Sequence, residues 1–151
     1  MAYNYIINKE MKLNFVNASG LVSGKEIIET TTKMFKDPDW KFVRKQISDF
    51  REAKELIITS QDFEKIIEVE KKQQPLQEII HNGETGKLAI VAKKEIYDIV
   101  FKLYSIKTKD GFHKTGIFND MDEAVVWLDF PSLENKDEEY LKNNFPELKN
   151  I

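Results

Sequence analysis

The chain has 151 residues, enough for one domain with one real core, since a chain of this length typically buries ~68–70% of its unfolded surface. With 41% hydrophobic and 32% charged residues it is neither a disordered nor a membrane composition, and a net charge of −3 gives no global basic field for nucleic acid. The absence of cysteine excludes disulfides, thiolate metal sites and cysteine nucleophiles. No apolar run approaches the ~18–20 residues of a membrane helix, and the start lacks a signal-peptide pattern, so a cytoplasmic protein is expected.

Two short strands open the chain. Tyr3, Tyr5 and Ile7 alternate with Asn4, Ile6 and Asn8, and Leu13 and Phe15 follow a turn around Lys9 and Glu10. Runs so close together predict an antiparallel hairpin. Gly20 and Gly24 bracket Leu21 and Val22, which reads as a turn into the first helix. Ser23 and Glu26 have capping-box spacing, and Ile27, Thr31, Met34 and Phe35 fall on one helical face. Asp37-Pro38-Asp39 ends that helix.

A strand is predicted near Gln46 to Phe50, and Leu56-Ile57-Ile58 forms a separate apolar run. Thr59 or Ser60 caps a second helix carrying Phe63, Ile66 and Ile67. Pro75 and the polar stretch to Gly86 read as a break or an irregular helix-loop. Lys87 to Ala92 is nearly continuously apolar, as a strand covered on both faces requires. A helix from about Lys94 to Ile106, a strand from about Lys114 to Phe118 and a helix from Asp120 to Leu128 complete the body. Strands alternating with helices imply βαβ units. Residues 1–130 form the expected domain, and 131–151 a helical tail that docks on it or on a partner.

Phe118-Asn119-Asp120-Met121-Asp122-Glu123-Ala124-Val125-Val126-Trp127-Leu128 resembles the end of a bacterial family of small STAS-like proteins. These are grouped as SpoIIAA-like, are related to the anti-sigma-factor antagonists, and are also likened to the CRAL-TRIO lipid-binding fold. Gly20-Leu21-Val22-Ser23-Gly24, Asp37-Pro38-Asp39-Trp40, Ser48-Asp49-Phe50-Arg51 and Lys87-Leu88-Ala89-Ile90-Val91 carry the same resemblance. It implies an α/β sandwich with a single mixed sheet and unequally distributed helices. The antagonists carry a phosphorylatable serine where a helix begins after a central strand, which corresponds here to Ser60. Ile58-Thr59-Ser60-Gln61-Asp62 departs from their pattern, lacking aspartate before the serine and small residues after it, and a helix cap is the plainer role.

Candidate chemistry is sparse. Asp49 and Arg51 flank Phe50 at a strand end and share a side, so they could bind a polar ligand together or simply pair with each other. His81 and His113 lie in polar stretches read as loops, without companions at metal-ligand spacing. Asp120, Asp122 and Glu123 suit a helix start better than a cation. The lysine-rich spots, such as Lys71-Lys72 and Lys93-Lys94, read as solvated surface. No phosphate loop or nucleophile elbow is present. On the helix after Lys94, Tyr97, Phe101 and Tyr104 form a second apolar stripe beside Ile96, Ile99, Val100 and Leu103, a surface for the tail, a partner or an amphiphile. The expectation is a non-enzymatic STAS-like binding module serving protein–protein interaction or regulation, as a homodimer or with a protein partner. The alternative is a carrier or sensor of a small apolar or amphiphilic ligand. No cofactor, nucleic acid or integral membrane association is expected. An enzyme using Asp49, Arg51 or His113 ranks last.

Overall fold

The computed structural model describes residues 2–80, 86–96, 98–100 and 113–128. Strands β1 (Tyr3–Asn8) and β2 (Leu13–Ser23) pair antiparallel, from Tyr3 opposite Ala18 to Asn8 opposite Leu13. The Asn8 side chain shapes the reversal, its Oδ1 accepting the Met11 N–H at 3.1 Å.

Helix α1 (Gly24–Lys36) begins where predicted, with Ser23 Oγ accepting the Glu26 N–H at 3.2 Å. The return bond of a capping box is not seen; Glu26 Oε2 is buried without a partner. Asp37 ends the helix and accepts the Asp39 N–H at 2.9 Å, starting a 3-10 turn, Pro38–Phe42, that buries Trp40. Strand β3 (Lys45–Ile57), helix α2 (Ser60–Ile80), strand β4 (Gly86–Val91), strand β5 (His113–Phe118) and helix α3 (Met121–Trp127) follow.

The five strands lie in the order β1-β2-β3-β4-β5, and every pairing after the first is parallel. This is the mixed α/β sheet with an N-terminal antiparallel hairpin that the sequence predicts. Strand alternation then sorts the core into two layers. On one face Val16, Ala18, Val22, Phe50, Leu88 and Ile90 pack with Ile27 and Met34 of α1 and Ile66 of α2. On the other, Leu13, Phe15, Ile47, Ala89 and Val91 pack with Met121, Ala124, Val125 and Leu128 around α3. Strand β4 is thus interior and covered on both faces, as its apolar run requires.

Four local expectations are corrected. Gly20 and Gly24 do not bracket a turn: β2 runs on to Ser23, and Gly20 takes φ +63 within the strand where the β2–β3 register shifts. The two apolar runs around Phe50 and Leu56 are one strand, β3, whose interruptions are bulges rather than a loop. Helix α2 passes through Pro75 to Ile80, absorbing a proline that removes one backbone hydrogen bond. His113 is the first residue of β5, paired with Gly86, and not part of a loop. Within the expected Lys94–Ile106 helix, Lys94–Ile96 form a 3-10 turn and residues 98–100 are helical. The rest of that helix and the tail at 131–151 lie outside the described residues.

Candidate functional site

Sheet rows place Asn17, Asp49, Val91 and Phe118 side by side, because Asn17 pairs with Asp49, Asp49 with Val91, and Val91 with Phe118. This row is the carboxyl end of β4 and β5, where ligands gather in open α/β sheets. Two residues beyond Phe118, Asp120 caps α3 by accepting the Glu123 N–H at 2.8 Å. Asp120 and Glu123 therefore have the capping spacing read from the sequence.

Asp49 is 1% exposed, yet charged in character. Burial of a carboxylate is costly unless its lone pairs are filled. Arg51 fills them: its Nε donates to Asp49 Oδ1 at 3.0 Å, its Nη2 to Oδ2 at 3.0 Å, and its backbone N–H to Oδ1 at 3.0 Å. The two side chains do share a face, as alternation predicts, and they meet as a bidentate pair. Burial works against the Arg51 cation. The hydrogen bond to Asp49 and the charges of Asp49, Glu52 and Asp120 outweigh it, and hold the guanidinium above the usual arginine range. Beside this closed pair, Asn17 is 1% exposed and neither its Nδ2 nor its Oδ1 has a hydrogen-bond partner.

Past Asp49, β3 runs on beside β2 with no β4 partner in its register. Two register shifts along this stretch let β3 carry extra residues while the faces stay aligned: Ser19 pairs with Glu52, Leu21 with Glu55 and Ser23 with Ile57. Val22 and Leu56, opposite each other, bury themselves toward α1 and α2. Leu21, Glu55 and Ile57 therefore face the other way, on the face that α3 covers further down. Leu21 is 53% exposed and Ile57 47%. The result is a two-stranded ribbon, buried on one face and open on the other, with the Asp49–Arg51 pair at its base.

A concavity of about 620 Å³ lies between β1 and α1. Its walls include Tyr5, Ile28, Thr32 and Pro38, with Lys33 and Lys36 among its lining. The Tyr5 hydroxyl donates to Asp37 Oδ2 at 2.8 Å. Burial, the bond to Asp37 and the negative charge of Asp37 push the Tyr5 phenol up to about 12.

The remaining sequence candidates separate from this region. Ser60 is exposed at the first turn of α2, but the cap belongs to Thr59. Thr59 Oγ1 accepts the Asp62 N–H at 3.1 Å, while Asp62 Oδ2 accepts the Thr59 N–H at 2.9 Å. Tyr97, Phe101, Tyr104 and His81 lie outside the described residues. Lys71, Lys72, Lys93 and Lys94 are exposed, as solvated lysines should be. Among the described residues, no group of three or more His, Asp or Glu side chains is arranged to hold a metal ion, and no helix is long and apolar enough to cross a membrane. Sequence reading missed Asn17, Leu21 and Ile57. An asparagine inside an apolar strand was the available signal for the first. The exposure of the other two depends on β4 ending early, which no local pattern announces.

No family model matches the sequence, and no curated protein matches it. Among solved structures the chain is similar to the anti-sigma factor antagonist SpoIIAA in its unphosphorylated form. The TM-score is 0.47 at 8% identity, over 87% of this chain and 100% of that one. It is similar also to an uncharacterised protein of the DUF3478 family with a SpoIIAA-like fold from Shewanella loihica PV-4. There the TM-score is 0.47 at 14% identity, over 84% of this chain and 92% of that one.

Proposed function

We propose that this chain is a non-enzymatic binding module that engages a protein partner, self-association being one form of that contact. The supporting observation is the open face of the β2–β3 ribbon, where Leu21 and Ile57 stay about half exposed while the other apolar residues of the described strands are buried or partly buried. Exposed apolar side chains that cluster beside polar groups favour protein contacts. The polar chemistry nearby supports binding over catalysis, since Asp49 spends its lone pairs on Arg51. A cytoplasmic setting is part of the same reading. The test is a photo-crosslinking amino acid placed at Leu21 or Ile57, and at exposed Lys25 on α1 as control, in growing cells. Discrete adducts from Leu21 and Ile57 and none from Lys25 are expected. Equal labelling at all positions, or none, would defeat the proposal.

The concavity between β1 and α1 favours a second reading, a carrier or sensor of a small amphiphile. Ile28, Pro38 and the Tyr5 ring offer apolar wall, and Lys33 and Lys36 offer cations for an acidic head. Native mass spectrometry of gently purified protein decides: a co-purified amphiphile lost in an Ile28→Glu variant supports this reading, and ligand-free protein counts against it.

A further inference from the structure

Resting on the protein-partner reading, the geometry points to the chemistry of that partner: a segment carrying cationic side chains beside an apolar one, docked on the open face of the β2–β3 ribbon. The face has an apolar pair, Leu21 and Ile57, and an acidic excess. Glu52 and Glu55 lie on it by register, opposite Ser19 and Leu21, and both are exposed. Asp120 stands at its base, where its charge reaches Arg51. Among the described residues, Arg51 is the cation placed on this face by its contacts, and Asp49 neutralises it through two side-chain hydrogen bonds. Lys54 sits at the second register shift and offsets one of the acids only. An anionic partner would be repelled by what remains, whereas a lysine or arginine would find the net negative charge that Glu52, Glu55 and Asp120 leave after Lys54, beside an apolar anchor. Complementary charge of this kind selects partners and speeds encounter.

A second observation points to an incoming group at the same place. Asn17 is buried on this face, in register with Asp49, with both side-chain polar atoms unpartnered. Buried carboxamides are ordinarily paired. A polar group that reached Asn17 would meet an unused donor and an unused acceptor.

The probe is a library of twelve-residue peptides displayed on phage, selected against the intact protein, Leu21→Ser/Ile57→Ser and Glu52→Lys/Glu55→Lys. All four positions are exposed, and thermal melts establish that each variant is folded. Peptides enriched on the intact protein should combine Lys or Arg with a large apolar residue. They should bind the serine variant at least about tenfold more weakly, and the lysine variant should enrich acidic peptides instead. Enrichment that depends on Leu21 and Ile57 but shows no cationic bias overturns this inference and leaves the protein-partner reading standing. Enrichment indifferent to all four substitutions, or no enrichment over an unrelated protein, overturns both. Self-association in light scattering that is lost in the serine variant would make the occupant a second copy and overturn the peptide-segment assignment.

Discussion

At the scale of single residues, the structure turns on a few polar groups whose partners can be named. Asn17 is buried with both of its side-chain polar atoms unpartnered. An unpaired buried carboxamide costs about 1–3 kcal/mol, while an apolar side chain of similar volume carries no such penalty. Asn17→Leu should therefore hold or raise stability by about 1 kcal/mol, read from the urea midpoint at constant slope. A clear loss would mean that the carboxamide has a partner in solution. Tyr5 behaves oppositely, because its hydroxyl is paired with Asp37. Its folded-state value of about 12 lies above the ordinary phenol value of 10.0. Burial, the bond to Asp37 and the Asp37 charge all disfavour the phenolate in the fold, so the contribution of the protonated tyrosine is fully present below pH 10 and is lost as pH rises through 12. Tyr5→Phe should lose about 0.5–1.5 kcal/mol at neutral pH and lack this alkaline decline, measured by denaturant titrations across pH. Removing Arg51 is the harsher change. Arg51→Met leaves the Asp49 carboxylate buried without its bidentate partner, at a cost of about 3 kcal/mol by thermal or urea unfolding.

At the scale of elements, capped helix ends were legible, while strand lengths and the run of α2 through Pro75 were not. Ser23, Asp37 and Asp120 each act through a side-chain oxygen on a nearby backbone N–H, so the signal lies within three residues of its effect. The Asp49–Arg51 meeting was legible for a similar reason, since alternation alone places both on one face. The full extent of β2 and β3 was not, because it is fixed by pairing between strands far apart in sequence. Gly20 reads locally as a turn residue, yet its positive φ serves a bulge that only the partner strand reveals. The start of α1 hides another non-local constraint. A Cβ on Gly24 would overlap the Asp62 side chain, which is already committed to capping α2 with Thr59. Gly24→Ala should cost about 1–3 kcal/mol by forcing Asp62 from that cap, despite the better helix propensity of alanine. A parallel Asp62→Ala variant should make the added methyl far less harmful, which separates the overlap from any intrinsic effect at position 24.

At the scale of the whole molecule, protection is distributed unevenly along β3. Its first part is flanked by β2 and β4 and sandwiched between both core layers, whereas its last part, among the described residues, pairs with β2 alone. Amide hydrogen exchange should accordingly be slowest around Ile47 to Asp49 and faster by orders of magnitude from Glu52 to Ile57. Uniform protection along the strand would contradict the open ribbon. The strand order has its own corollary for biogenesis. Because each strand neighbours the one made just before it, no late strand must wedge between two earlier ones. A ribosome releasing this chain from its amino end would hand over the sheet in the sequence in which it assembles, row after row. The hairpin and α1 can settle before β4 has been synthesised, so the growing edge of the sheet is always its newest strand.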